Sequence, residues 1–153
     1  MRIAVACDHG GFALKQAIVR FLESSGNSVK DFGCYSEESA DYADFAFPAA
    51  EAVADGQCDR GILICTTGIG VSICANKVRG IRCALCTSEF QAEMTRRHND
   101  ANVLALGART VSEQEAERIV TVWLKTSFEG GRHARRIGKI AAYENKQEVN
   151  ANV

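Results

Sequence analysis

The segment Cys65-Thr66-Thr67-Gly68-Ile69-Gly70 is the part of this chain best suited to chemistry. It follows the apolar run Gly61-Ile62-Leu63-Ile64, which predicts a short buried strand, and precedes Val71 to Lys77, which predicts a helix start. A thiol therefore stands where a strand ends and a glycine-rich turn exposes backbone N–H groups at a helix N-terminus. That setting attracts anions and favours a thiolate. Asp8-His9-Gly10-Gly11 and His98-Asn99-Asp100 add carboxylates, imidazoles and an amide in loops, where acid–base work is feasible. The set suggests an enzyme that uses a thiolate near a developing oxyanion. Arg132 and Arg136 lie four apart on one helix face just after Gly130-Gly131, so both guanidiniums can address one phosphate. His133 is expected to point away from that pair, either exposed or supporting it from behind.

These groups need a scaffold, and the pattern supplies one. Ile3 to Cys7 predicts a buried first strand, followed by a helix with Leu14, Ala17, Ile18, Phe21 and Leu22 on one face, stopped by Gly26. Ser28 to Phe32 predicts a second strand. Asp44 to Asp55 predicts a helix that Pro48 should delay or bend. Further strands are expected at Gly61 to Cys65, Ile81 to Cys86 and Asn102 to Leu106. Capping-box spacing at Ser88 to Gln91 and Ser112 to Glu115 opens two helices, the first running towards His98 and the second burying Ala116, Ile119, Val120, Trp123 and Leu124. A last helix carries Arg132, Arg136, Ile137 and Ile140, and a polar tail is expected from about residue 144. Strands alternating with helices predict one Rossmann-like α/β/α three-layer domain over residues 1–153, with a five-stranded parallel sheet and a C-terminal helix.

In such sheets ligands bind beyond the carboxyl ends of the strands. Asp8-His9, Cys65 to Gly70, Thr87-Ser88 and Gly107 to Arg109 all fall there, a polar edge suited to a small anion. His98-Asn99 does not, because it precedes the fifth strand and so lies near the opposite edge. If it acts with Cys65, it must come from a second subunit. A site shared across a homodimer is therefore expected, with a tetramer as the alternative assembly.

Bulk properties narrow the class. The chain has 153 residues, 46% hydrophobic and 24% charged, with a single proline, enough for one domain with a full core. A net charge of −1 gives no general attraction to nucleic acid or to an anionic membrane. No apolar run reaches membrane-spanning length, and the N-terminus lacks a basic segment leading into an apolar core. Seven cysteines without such a signal point to the cytoplasm, where thiols stay reduced. Cys7, Cys58, Cys74, Cys83 and Cys86 adjoin apolar segments and read as packing residues. Cys83-Ala84-Leu85-Cys86 matches Cys-x-x-Cys but lies in a strand, where residues three apart face opposite sides, so no metal site is expected.

From Met1 to about Ile140 the chain resembles the ribose-5-phosphate isomerase type B family, which includes galactose- and allose-6-phosphate isomerases. The likeness rests on Asp8-His9-Gly10-Gly11-Phe12, Asp41-Tyr42, Gly61 to Cys65, Thr67-Gly68-Ile69-Gly70, Ala75-Asn76-Lys77, Gly80-Ile81-Arg82, Arg97-His98-Asn99-Asp100, Gly107-Ala108-Arg109 and Glu129-Gly130-Gly131-Arg132-His133. The resemblance implies that Cys65 is the base moving a proton between C2 and C1 of an open-chain sugar phosphate through a cis-enediolate. It implies that His98 assists ring opening and that Thr67 supports that step or positions Cys65. The amides of Thr66, Thr67, Gly68, Ile69 and Gly70, with Asn99, would hold the enediolate oxygens. Asp8 would contact sugar hydroxyls, with Tyr42 a further candidate, and His9, Arg109, Arg132 and Arg136 would grip the phosphate. No cofactor is implied.

One branch of that family replaces the cysteine with a glutamate four residues on; here that place is Ile69, which leaves Cys65 as the base. Thr66 stands where the family usually has glycine, which bears on the choice of sugar. Ala43 stands where a proline usually follows the tyrosine, which bears on Tyr42. Ribose 5-phosphate is the expected substrate. The alternatives are the same reaction on a hexose 6-phosphate (allose or galactose) or a tetrose phosphate, and a non-catalytic phosphosugar-binding module. Asp-His-Gly-Gly after the first strand, rather than Gly-x-Gly-x-x-Gly, disfavours a flavin or dinucleotide module.

Overall fold

The computed structural model describes residues 1–151, with side chains as far as residue 146. Three strands are nearly continuous apolar runs: β1 (Arg2–Cys7), β3 (Arg60–Cys65) and β5 (Val103–Gly107). Such runs belong inside a parallel sheet covered on both faces, and these three form its centre. The shorter, less buried β2 (Ser28–Asp31) and β4 (Cys83–Leu85) take the edges, giving the order β2-β1-β3-β5-β4, all parallel.

Alternation along each central strand builds two cores. Ile3, Val5, Ile62, Ile64, Leu104 and Leu106 face one side. That side is covered by α1 (Phe12–Ser24), α4 (Glu89–Asn99) and α5 (Glu113–Lys125). Ala4, Ala6, Leu63, Cys65, Val103 and Ala105 face the other, under α2 (Tyr42–Ala54) and α3 (Ile69–Ala75). The alanines let α2 pack closely on β1, and Cys65 points into this second layer. After β1 the chain turns to β2 on one side, and after α2 it passes to β3 on the other. The crevice beyond the ends of β1 and β3 is thus the switch point of the sheet, the usual ligand position in such folds.

Several boundaries differ from the sequence expectations. α2 starts at Tyr42, and Pro48 lies inside it. Pro48 removes one helical hydrogen bond, but Ala46, Ala49, Ala50 and Ala52 are buried against the sheet, and tertiary packing holds the helix through it. β4 is confined to Cys83–Leu85, with Arg82 N–H taken by the Asn102 side chain and Cys83 N–H by that of Asn76. Ser88 caps α4 through Gln91 N–H, but the Gln91 side chain turns back to Thr87, so the box is only half made. At Ser112 both halves form with Glu115. The polar segment from about 144, expected as a tail, continues α6 (Arg132–Ala151). No helix among the described residues is long and apolar enough to cross a membrane.

Candidate active site

Cys65 closes β3, paired in register with Gly107 of β5, and is 4% exposed. Its carbonyl accepts from Ala108 N–H and that of Thr66 from Arg109 N–H, tying the thiol loop to the loop that carries the Arg109 guanidinium. Gly68 then adopts φ +77° as the cap of α3. This left-handed turn, easy only for glycine, brings Gly68 N–H to 3.1 Å from Cys65 Sγ, donating to it. A donor aimed at sulfur stabilises negative charge there. Thr67 Oγ1 accepts from Ile69 N–H at 3.3 Å, so Thr67 braces the same turn.

The neighbouring loops close on this turn. Asp8 is buried after β1; its Oδ1 accepts from Gly11 N–H at 3.0 Å while its own N–H bonds the Ile64 carbonyl. His9 begins a single 3-10 turn, His9–Gly11, and its Nδ1 lies 3.2 Å from both N and O of the Ala40 peptide. That leaves Nε2 for a ligand. A Cβ on Gly10 would sit 2.2 Å from Thr66 Oγ1, so Thr66 fills the space that Gly10 leaves. Its side chain thus narrows the crevice between the β1 and β3 loops. The Tyr42 ring packs over Gly70, where a Cβ would meet it at 2.9 Å, and Ala43 in place of proline does not displace it from the turn.

Two positioning groups carry no sequence motif for catalysis. Lys15 is fully buried on the core face of α1, its Nζ donating to both Asp31 oxygens (2.8 and 2.7 Å) and to the Cys34 carbonyl at 2.7 Å. It anchors the start of the loop whose Ala40 holds His9. A charge inside the apolar stripe of Leu14, Ala17 and Ile18 was the available signal. Arg82 donates to the Asn99 and Asp100 carbonyls, and Arg96 pairs with Asp100 at 2.9 Å. Together they fix the left-handed turn (Asp100 φ 46°) that presents His98 and Asn99.

His98, Asn99, Arg132 and Arg136 form a second cluster away from the thiol. Gly61 pairs with Val103 and Cys65 with Gly107, so the Asn99 turn and Cys65 lie at opposite ends of the strands. Four residues of strand separate them by about 13 Å. Of the two expectations for His133, exposed or supporting from behind, the structure shows the buried, supporting one. His133 is buried and stacks on His98, ring centroids 4.3 Å apart and planes 6° from parallel. It does not point away from the arginine pair, since Arg132 Nε donates to its Nε2 at 3.4 Å. The Glu129-Gly130-Gly131 turn, bonded to the Arg97 carbonyl, starts α6 in the phase that turns residue 133 inward. Burial, then the nearness of His98 and Arg132, lowers the His133 pKa. Glu129, with His98 and His133, makes a carboxylate–imidazole group whose ligand atoms lie within 4.8 Å of one another. Parallel stacked rings do not aim in-plane lone pairs at one ion about 2.0 Å from each, and the Arg97 and Arg132 guanidiniums adjoin the group. It is not a preformed metal site.

Residues 3–140 match the Ribose/Galactose Isomerase family model. The chain belongs to the ribose/galactose isomerase family. It is 48% identical over 146 residues to ribose-5-phosphate isomerase B of Escherichia coli, covering 95% of this chain and 98% of that protein. Ribose-5-phosphate isomerase B of Clostridium thermocellum superposes with a TM-score of 0.95 at 55% identity, covering 96% of this chain and 99% of that one. The Mycoplasma genitalium enzyme, solved with bound ribulose-5-phosphate, superposes with a TM-score of 0.90 at 46% identity over 94% and 96% of the two chains. The family match therefore spans both clusters, the thiol loop at one end of the strands and the His98 cluster at the other.

Proposed function

We propose that this chain is a ribose-5-phosphate isomerase that works through a cis-enediolate with Cys65 as the base. The observation that carries the residue assignment is the Gly68 N–H aimed at Cys65 Sγ at the end of β3. The thiolate takes the C2 proton of the open-chain aldose and returns a proton to C1. The electron pair left at C2 forms the C1=C2 bond as charge moves to O1; a proton then passes from O2 to O1, and protonation at C1 leaves the C2=O2 carbonyl. Asn99 and the turn amides of Thr66, Thr67 and Gly70 face that charge, since those of Gly68 and Ile69 donate to Cys65 Sγ and Thr67 Oγ1. His9 Nε2, Arg109, Arg132 and Arg136 bind the phosphate, whose binding energy orients the sugar. Ring opening moves the O1 proton to O4 as C1–O4 breaks and C1=O1 forms, a task for His98 with Thr67. Thr66 in the crevice favours the shorter pentose over a hexose. All seven cysteines are free thiols, which fits the cytoplasm.

The separation of His98 from Cys65 within one chain supports a homodimer in which each site takes the thiol loop from one subunit and His98, Asn99, Arg132 and Arg136 from the other. Exposed apolar side chains, Ile69 and Ile73 on α3 and Ile140 and Tyr143 on α6, offer a surface for that partner. The test mixes Cys65→Ala and His98→Ala proteins, each inactive alone, and lets subunits exchange. Shared sites restore about one quarter of wild-type activity, since half the dimers are mixed and each has one intact site. No recovery after proven exchange contradicts sharing.

A further inference from the structure

Glu129 divides its two oxygens between different tasks. Oε1 is held by the Arg97 guanidinium, which also bonds Glu93 at 2.9 Å. Oε2 faces His133 Nε2 at 3.5 Å and His98 Nε2 at 4.0 Å. The Arg97 clamp works in both directions, because the Arg97 carbonyl accepts from Glu129 N–H at 3.1 Å. His133 lies buried beneath the His98 ring as a flat platform. The charged groups facing this pair are Arg97 from α4, Glu129 from the turn, and Arg132 and Arg136 from α6. Glu129 is thus the carboxylate set among these cations, and its second oxygen lies on the side of the two imidazoles, while His133 Nε2 accepts from Arg132 Nε.

We propose that Glu129 and His133 are positioning residues for His98, the stacked His133 ring fixing its plane and keeping its Nε2 edge on the carboxylate side, which leaves Nδ1 as the nitrogen that meets the sugar. This rests on the reading of His98 as the ring-opening residue. Opening leaves the proton count unchanged, so one imidazole can give a proton at O4, take one at O1 and return to its starting state. His133, stacked and neutral, fixes the ring plane without competing for the proton.

Two reactions in deuterated water separate this role from general damage. Isomerisation of ribose 5-phosphate requires ring opening. Exchange of the C1 proton of ribulose 5-phosphate does not, because its phosphorylated O5 cannot close a ring on C2. In Glu129→Gln, which keeps an oxygen for Arg97, kcat for ribose 5-phosphate falls about tenfold or more, while C1 exchange on ribulose 5-phosphate stays at the wild-type rate. His133→Ala shows the same split, and His133→Phe, which restores the stacked platform, regains isomerisation. Parallel loss of both reactions, or loss of neither, overturns the proposal. His98→Ala is the control. A split there without one in Glu129→Gln defeats this inference and spares the ring-opening reading, whereas no split in His98→Ala defeats both.

Discussion

Gly68 N–H donates to Cys65 Sγ at 3.1 Å across a left-handed turn that ends β3. This hydrogen bond joins backbone conformation to chemistry, since the donor that faces the sulfur belongs to a residue held at positive φ by the same turn. Gly68→Ala tests the dependence. A Cβ there would lie 2.4 Å from Leu85 Cδ1, which can yield, and 2.9 Å from the Leu106 carbonyl carbon, which cannot. The left-handed conformation adds about 1–2 kcal/mol. The melting temperature should drop modestly while kcat drops further, because the turn relaxes away from the sulfur. Equal losses in stability and kcat would separate the turn from catalysis.

Lys15 and Asp31 set the loop behind His9. The ammonium is fully buried and Asp31 partly exposed, so Asp31→Ala strands a cation in the core. The expected cost is about 3 kcal/mol, the low end for breaking a buried pair. Denaturant unfolding measures it. Lys15→Met, which removes the charge itself, should cost less than Asp31→Ala, and the reverse order would refute the buried-charge account.

Burial raises the pKa of most thiols in the chain. Cys7 and Cys86 are each pushed up to about 12, and Cys58, Cys74 and Cys83 are also raised, in each case chiefly by loss of solvent. These cysteines should resist iodoacetamide at pH 8. Peptide mapping should find early alkylation at Cys65 with loss of activity, and ribose 5-phosphate should slow it. Inactivation that substrate leaves unchanged would count against Cys65 lying in the sugar site.

The buried His133 should give an acid limb to stability. Its native pKa is lowered, while the unfolded chain takes the proton near the ordinary value of about 6.5, so the unfolded state binds more protons below that pH. Stability from this group is complete above about 6.5 and declines as pH falls below it. Glu129, whose carboxyl is held down chiefly by its hydrogen bond from Arg97, adds a separate loss below about 4.3. Melting temperatures from pH 7 to 5 should fall less steeply in His133→Phe than in wild type. An unchanged slope would show that His133 does not titrate on unfolding.

Much of this molecule was readable from the chain. The Cys65 loop was legible because an apolar run, a thiol and spaced glycines have few other uses together. The placement of His98 at the far edge followed from its position just before a strand. The direction expected for His133, away from the arginine pair, fails through helix phase: the spacing of Arg132 and Arg136 defines an outward face, but their neighbour meets α4 through the Glu129-Gly130-Gly131 turn, a tertiary contact that no periodicity encodes. Pro48 misled for the same reason, since buried alanines on both sides outweigh one missing hydrogen bond. The buried cations Lys15 and Arg96 gain their meaning from partners 16 residues away and in the next turn. Such pairings belong to the folded chain.

Cys65 as the base is the centre of the proposed chemistry. The direct measurement follows isomerisation of ribose 5-phosphate, allose 6-phosphate and galactose 6-phosphate by NMR in deuterated water, with wild type and Cys65→Ala. Wild type should convert ribose 5-phosphate and place solvent deuterium at C1 of the ribulose 5-phosphate formed. Cys65→Ala should lose about 10²-fold or more of that rate, the scale of a missing general base. Turnover with C1 labelling that survives in Cys65→Ala would contradict the assignment and move the base elsewhere.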